Sequence, residues 1–385
     1  MNVIAPVTSP PEPAELKIRL DKIKAMMEKM GLDYYISAQT DNVYYLTNFA
    51  YFPMERPFFL IIPSSGAPTF VLPLLEISHA QERVLIDVSY RTYREFPAPA
   101  GLSHIDALKE LIPAGARVGI ETTLPVMHRD TIPGQVVATD LIDEARLVKS
   151  EYEIGRVAYA CKIVEAGLAK VFELSRPGVQ QFSIYSEGVR QMMGHIILEI
   201  SGVNLLMTKA ICAVWPGALS AQPHCVPGLF DSLQAGGPQV TIVTAQADGY
   251  SAELERTFFI GEIPEASKAP FFAMMEARAL AFELIKPGVR AADVDRQVLE
   301  LIKARGFGDG ILHRTGHGFG ITGHEPPWIA LGSENLLSEN MIISIEPGIY
   351  IKGLGGFRHS DTVLVTKDGC RSMTSAPVEL DDLVL

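Results

Sequence analysis

Cysteine is scarce in this chain of 385 residues: it has four scattered cysteines and no CxxC pair. A disulfide framework is therefore excluded, and reduced thiols are expected. No run of residues approaches the roughly 20 apolar residues of a membrane span. Positive charge is also in deficit, with 33 Lys and Arg against 45 Asp and Glu and a net charge of −12. Such a balance argues against broad binding to nucleic acid or anionic membranes. The composition predicts a soluble, cytoplasmic protein.

The chain changes character twice along its length. Residues 1–14 are rich in proline and lack the layout of a secretory signal, so we expect a flexible arm there. From 15 to 148, helical patterns alternate with short apolar runs such as PFFLIIP, which predicts a compact α/β domain. A new amphipathic helix begins near Ser150, and we assign 149–385 to a second domain.

An internal repeat lies within the second domain. VFELSRPGV at 171–179 and AFELIKPGV at 281–289 match at Phe, Glu, Leu, Pro, Gly and Val. In each copy a helix ends at Pro-Gly and another helical pattern follows. We interpret this as a duplicated unit that builds a pseudo-symmetric domain with a site between its halves.

The stretch VTAQADGYSAELERTFFIG at 243–261 predicts a hairpin that turns at Asp248-Gly249. Glu253 and Glu255 lie two residues apart in its second strand, and alternate residues of a strand share a face. Two like charges so close together are unfavourable unless a metal, a cation or a proton compensates them.

Three further stretches of the second domain concentrate reactive side chains. His224 lies in SAQPHCVPG, His317 and His324 lie in HRTGHGFGITGHEPP, and Glu346 and His359 lie in IISIEPGIYIKGLGGFRHSDTVLV. Glu346 interrupts an apolar strand, where a buried carboxylate is costly unless it is paired. Strand acids beside a glycine-flanked histidine are typical of a metal site or of a pocket for a cationic ligand.

These motifs, together with RLDKIKAMMEKMGLDYYIS near the N-terminus and ARLVKSEYEI at 145–154, resemble the pita-bread superfamily. That superfamily contains creatinase, prolidase, aminopeptidase P and methionine aminopeptidase. The resemblance covers nearly the whole chain. It implies an α/β fold with a smaller N-terminal creatinase-type domain and a pseudo-symmetric pita-bread catalytic domain.

The resemblance also implies a set of metal ligands, because the metallopeptidase members hold two ions with Asp, Asp, His, Glu and Glu. In this chain Glu253, His317 and Glu346 match three of those positions, whereas Ile242 and Ser360 stand at the other two. We therefore expect no cofactor. The alternative is one divalent ion (Mn, Zn, Fe or Co) held by Glu253, His317 and Glu346.

Creatinase is the metal-free member, and its A-L-E-R-T segment is similar to AELERT here. By that similarity His224 is the proton shuttle, and Glu255 and Glu346 grip a guanidinium or amidinium of the substrate. His317 completes the catalytic set. The residues expected to line or support the substrate pocket are Tyr250, Glu253, His324 and His359, with Phe52 and Arg56 contributed by the partner in a homodimer.

Three functions remain open at this stage. The first is a creatinase-like hydrolase of a C–N bond in a small cationic or zwitterionic substrate, without a dinuclear metal centre. The second is an Xaa-Pro aminopeptidase or dipeptidase with a degenerate or mononuclear metal site. The third is a binding protein that reuses the fold without catalysis.

Overall fold

The structure is a computed structural model that describes residues 4–226 and 228–385. It divides into two compact units, one from Pro10 to Arg146 and one from Leu147 to Leu385 together with the segment that ends at Ser9. Among the described residues, none of the helices combines the length and apolarity that a bilayer crossing demands. The predicted domain bounds at 14/15 and 148/149 stay predictions.

The N-terminal unit is a mixed sheet with helices, and short loops join its elements. Its elements in chain order are α1 (Pro13–Met30), β1 (Tyr34–Ser37), α2 (Thr40–Thr47), β2 (Phe59–Pro63), β3 (Thr69–Pro73), α3 (Ile77–Arg83), β4 (Ser89–Tyr93), α4 (His104–Leu111), β5 (Arg117–Ile120), α5 (Val126–Arg129), β6 (Gln135–Ala138) and α6 (Leu141–Arg146). The strand order is β4-β3-β2-β1-β5-β6. Helix α1 ends where the sequence predicts, because Gly31 takes the left-handed φ of 64° that favours glycine.

The C-terminal unit is built on a larger sheet flanked by helices. Its elements are α7 (Glu151–Leu174), α8 (Gln181–Glu199), β7 (Lys209–Pro216), β8 (Gly236–Ala247), β9 (Tyr250–Glu255), β10 (Thr257–Ile260), α9 (Glu265–Leu284), α10 (Ala291–Ala304), β11 (Gly316–Gly318), β12 (Glu325–Ile329), β13 (Ile342–Ile345), β14 (Gly348–Ile351), β15 (Gly355–Arg358), β16 (Ser360–Thr366) and β17 (Gly369–Ser372). Seven strands follow the order β10-β8-β9-β16-β13-β11-β12, with β7 beside β8 and β17 beside β16. Strands β14 and β15 pair separately.

The repeated Pro-Gly turn is confirmed as a structural repeat. Gly178 after α7 has φ 86°, and Gly288 after α9 has φ 85°. The Gly178 amide donates to Leu233 O at 2.9 Å, and the Gly288 amide donates to Leu337 O at 2.8 Å. Each half therefore ends its long helix with the same turn, and a backbone hydrogen bond joins that turn to a segment later in the chain.

Two local predictions have different outcomes. The hairpin is confirmed, since β8 and β9 pair antiparallel around Asp248 and Gly249, both with positive φ. The flexible arm is wrong for the described part of 1–14. Val7 N donates to Gly155 O at 2.9 Å, and Arg156 donates to Ser9 O at 2.9 Å, so this segment lies along α7.

Candidate active site

The candidate site lies on four neighbouring antiparallel strands, β9, β16, β13 and β11. Ser360 pairs with Glu255 across β16 and β9, and Thr362 pairs with Ser344 across β16 and β13. Cross-strand partners and alternate residues share a face. The register therefore gathers polar side chains from four separate stretches of sequence on one face of the sheet.

Carboxylates and imidazoles converge on this face. One group contains ligand atoms of Glu253, Glu255 and Glu346, and a second contains those of Glu253, His317 and His324; within each group the atoms lie within 4.8 Å of one another. Glu253, Glu255, His317 and Glu346 are all buried. The prediction that the two hairpin acids point into the same space is thereby confirmed.

His317 and Glu346 are in direct contact. His317 Nε2 lies 3.0 Å from Glu346 Oε1, and Ser344 Oγ donates to the same carboxylate oxygen at 3.1 Å. The His317 amide donates to Ser344 Oγ at 2.9 Å, which fixes the histidine beside the strand that leads to Glu346. Burial alone would raise the pKa of Glu346, but the hydrogen bond and charge of His317 hold it below its usual range.

Arg358 supplies the charge that compensates Glu255. Its Nη2 donates to Glu255 Oε1 at 2.9 Å, and its Nε contacts Glu255 Oε2. Its Nη1 donates to the Tyr350 hydroxyl at 3.0 Å, and that hydroxyl lies 2.8 Å from His313 Nε2. Burial raises the pKa of the Glu255 carboxyl, and the Arg358 charge opposes that shift. The partner predicted for Glu255 was a cation of the substrate, and the structure instead places a guanidinium of the chain there.

The Glu253 carboxylate accepts a hydrogen bond from the hydroxyl of Ser360, the residue that stands where the resemblance implies a second carboxylate. Ser360 Oγ donates to Glu253 Oε1 at 2.7 Å. Burial raises the pKa of Glu253, with a further contribution from the negative charge of Glu346. Glu253 also belongs to the group formed with His317 and His324.

The three remaining histidines near the cluster differ in exposure. His224 is exposed on the loop after β7, and His324 is exposed as well, with its ring stacked on that of His317 at a centroid distance of 3.7 Å. Partial burial of the ring, together with the charge of His317, lowers the pKa of His324 to about 4. Burial also lowers the pKa of His313, and the charge of His224 contributes to both pKa shifts. His224 therefore lies close enough to both rings to act on their charge.

Two predicted site residues point elsewhere. His359 precedes Ser360 in the strand direction, so its side chain faces the opposite side of the sheet, where its ring lies 5.4 Å from that of Phe271 in α9. Tyr250 is three residues before Glu253 and also faces away, with its hydroxyl 3.5 Å from Glu153 in α7. Strand alternation removes both from the pocket.

The predicted contribution of Phe52 and Arg56 concerns the N-terminal unit. The Phe52 side chain is 71% exposed. Arg56 Nε donates to Glu95 at 2.6 Å, and its Nη1 lies 2.5 Å from Glu55. Arg56 is thus already paired with two carboxylates of its own unit, and its role toward a partner subunit stays a prediction.

A cavity of about 740 Å³ adjoins the cluster at Tyr350. Its wall includes Gln222 from the His224 loop, Phe307, Asp309, Leu312 and Lys352. Cavities of 300–1,000 Å³ are typical of small-molecule sites. Tyr350 lines this space, and its hydroxyl contacts both Arg358 and His313.

Comparison with known families decides what this arrangement belongs to. The description of metallopeptidase family M24 matches residues 155–367, and that of the creatinase/prolidase N-terminal domain matches residues 19–149. The chain belongs to metallopeptidase family M24. The predicted superfamily and the two-domain α/β fold are thereby confirmed, and the chain is a hydrolase acting on C–N bonds.

Individual relatives cover nearly the whole chain. An Xaa-Pro dipeptidase of Pyrococcus furiosus is 29% identical over 371 residues, which are 95% of this chain and 100% of the relative. A probable dipeptidase PepE of Mycobacterium tuberculosis is 31% identical over 336 residues, 85% of each chain. The crystal structure of the prolidase from Pyrococcus horikoshii matches with a TM-score of 0.82 and 27% identity, covering 94% of this chain and 99% of that one.

The expectation that the chain needs no cofactor is wrong. The family is one of metallopeptidases, and the relatives carry the names of dipeptidases and prolidases. A metal cofactor is therefore expected, and the relatives support the Xaa-Pro peptidase alternative better than the creatinase-like activity.

Sequence reasoning assigned no role to Arg358, Tyr350, His313 or Ser344. Arg358 and Tyr350 both lie in the segment 342–365 that carries Glu346. A signal for Arg358 was available, since a buried Arg at the end of a Gly-rich strand needs a carboxylate partner. Which carboxylate it meets depends on the pairing of β9 with β16, which places Ser360 opposite Glu255, and could not be read from the sequence.

Proposed function

We infer that this protein is an Xaa-Pro dipeptidase that uses one divalent metal ion held by Glu253, His317 and Glu346. The observation that carries this proposal is the convergence of those three buried side chains on one face of the sheet. The membership in a metallopeptidase family and the likeness to Xaa-Pro dipeptidases support it.

The donor set fits one ion of the transition series. Two carboxylates and one imidazole suit Mn, Zn, Fe or Co, and His324 lies close enough to Glu253 and His317 to add a second nitrogen. When bound, such an ion supplies Lewis-acid polarisation and a more acidic water molecule. The positions of Ile242 and Ser360 offer an alkyl group and a hydroxyl in place of two carboxylates, so the further carboxylate near the first ion is Glu255, which already pairs with Arg358.

The other residues of the site bind the substrate and move protons. His224 is exposed beside the cluster, where a neutral imidazole can accept a proton from the attacking water and return it to the departing proline nitrogen. His324, whose pKa is lowered to about 4, is neutral at pH 7 and can hydrogen-bond to the substrate without charge. The cavity beside Tyr350 has room for a dipeptide.

The proposal includes a homodimer in the cytoplasm. The partner subunit's Phe52 and Arg56 would complete the pocket, and a guanidinium is suited to a substrate carboxylate. The exposure of Phe52 supports this arrangement, since a large exposed apolar side chain is typical of a contact surface.

The test is turnover by metal-stripped and metal-loaded protein. We expect hydrolysis of Ala-Pro after addition of Mn²⁺, Zn²⁺, Fe²⁺ or Co²⁺, loss of that activity with a chelator, and slower cleavage of Ala-Ala. Creatine serves as the competing substrate. Metal-independent cleavage of creatine, or no cleavage of any Xaa-Pro dipeptide with any of the four ions, would contradict the proposal.

A further inference from the structure

The carboxylate cluster has two unequal halves. In the half around Glu253, His317 and Glu346, His317 contacts Glu346, and a ligand atom of Glu253 lies within 4.8 Å of His317 in one group and of Glu346 and Glu255 in the other. The half around Glu255 is closed by the Arg358 guanidinium, which contacts both carboxylate oxygens. The two halves therefore differ in one respect: a positively charged side chain, Arg358, already contacts the acid of the second half.

The residues directly opposite Glu255 on the two adjacent strands are not acidic. Ser360 pairs directly with Glu255 on the β16 side, and its hydroxyl is used by Glu253. On the β8 side, Val243 pairs with Leu254 and Thr241 N donates to Arg256 O, so Ile242 lies opposite Glu255. A second cation placed at Glu255 would meet a hydroxyl and an alkyl side chain on the adjacent strands and would have to share Glu253 and Glu346 with the first ion.

Arg358 is held in this place by its burial and by several hydrogen bonds. It is 3% exposed, it ends β15, and its Nη1 donates to the Tyr350 hydroxyl in the paired strand β14. Its amide also donates to Thr257 Oγ1 at 2.8 Å. An Arg with both ends of its fork engaged is a permanent part of the site.

The charges balance for a single ion. When ionised, the carboxylates of Glu253, Glu255 and Glu346 carry three negative charges. Arg358 cancels one of these charges, and one divalent ion cancels the other two. A second divalent ion would leave excess positive charge in a buried site, and that is costly at low dielectric.

We propose that the Glu255–Arg358 ion pair acts as a built-in cation, which takes the place of a second metal ion and limits this site to one equivalent of metal. Glu255 is thereby a carboxylate that anchors Arg358, and Arg358 is a positioning residue for the metal half. This inference rests on the proposed function only in requiring that the site binds metal.

The experiment measures metal stoichiometry rather than activity. Purified protein is stripped, reconstituted with Mn²⁺, dialysed and assayed by plasma mass spectrometry and by electron paramagnetic resonance. We expect one equivalent and the six-line spectrum of an isolated Mn²⁺ ion. Two equivalents with a spin-coupled spectrum would overturn the inference together with the single-ion part of the proposed function, and turnover of Ala-Pro would still test the peptidase part separately. Absence of any bound ion would contradict the metal binding on which both rest.

Variants of Glu255 and Arg358 test whether this ion pair limits the metal stoichiometry. Arg358→Met frees the Glu255 carboxylate and is expected to raise the stoichiometry from one to two. Arg358→Lys keeps the charge and is expected to stay at one, as is the double variant Glu255→Gln/Arg358→Met, which removes the pair together. If Arg358→Met folds poorly, its melting temperature in a Mn²⁺ titration gives the answer: a larger rise than in the double variant supports the inference. Equal stoichiometry and an equal rise in the two would overturn it.

Discussion

His317 Nε2 lies 3.0 Å from Glu346 Oε1, although the two residues come from separate strands and are joined by 28 residues of intervening chain. The contact makes one histidine and one carboxylate a preformed pair. Because Glu253 lies near this pair, removal of His317 or Glu346 takes away one of the three proposed metal ligands.

His317→Ala is expected to lose both metal and activity. Loss of an outer partner of a metal ligand costs about 10–100-fold, so loss of a ligand should cost on the order of 100-fold or more in kcat/KM for Ala-Pro. Bound Mn²⁺ and turnover are measured together. The control is His195→Ala, since His195 is an exposed residue of α8 whose ring contacts Glu199. Full metal content in His317→Ala would refute the assignment.

His224→Ala separates proton transfer from metal binding. We expect kcat to fall by about 10²–10⁴, the usual contribution of a general acid–base group, while the bound metal stays unchanged. His79→Ala, a half-exposed histidine of the N-terminal unit, is the matched control. Unchanged kcat in His224→Ala would contradict the assignment of proton transfer to His224.

Asp361 stabilises the sheet from the face opposite the cluster. It accepts from Arg256 Nη2 at 2.8 Å and from Arg278 Nη2 at 2.6 Å, and it is 1% exposed. Asp361→Asn leaves two guanidinium groups without their counter-charge. We expect a loss of about 3–5 kcal/mol in the free energy of unfolding, measured with urea. Asp381→Asn, at an exposed position, should change it little, and an equal loss in both variants would contradict this prediction.

The same residue predicts part of the acid sensitivity. Burial would raise the pKa of Asp361, but the charges of Arg256 and Arg278 hold it below its usual value of 3.8. A carboxyl with a depressed native pKa stabilises the fold above the unfolded pKa, and this stabilisation is lost as the pH falls through the native pKa. The urea midpoint of Asp361→Asn should therefore approach that of the unaltered protein only below about pH 3.8.

His104 should make the N-terminal unit less stable at mildly acidic pH. Burial lowers its pKa from 6.5 to about 4, with His128 as a second cause. The native state resists protonation, so stability is full above pH 6.5 and falls as the pH drops toward 4. His104→Phe keeps an aromatic ring and should flatten this part of the pH profile in thermal denaturation. His79→Phe should leave it unaltered, and parallel profiles for all three proteins would refute the prediction.

The sequence predicts the elements of this fold well wherever a local pattern controls them. Apolar runs mark β1, β2 and β3, and a helical repeat that ends at Gly31 marks α1. The hairpin acids Glu253 and Glu255 are predictable as a pair on one face, because period-two alternation is a property of any strand. The same alternation, applied to His359 and Tyr250, would have excluded them.

The amino-acid sequence by itself determined the family, the repeated Pro-Gly turn and the presence of strand acids beside a Gly-flanked histidine. These are local features, carried by residues close together in the chain. Only the tertiary structure decided that Arg358 lies against Glu255, because the pairing of β9 with β16 and of β14 with β15 brings them together across 102 intervening residues. The partner of a charged residue is determined by the strand register, which the sequence alone does not specify.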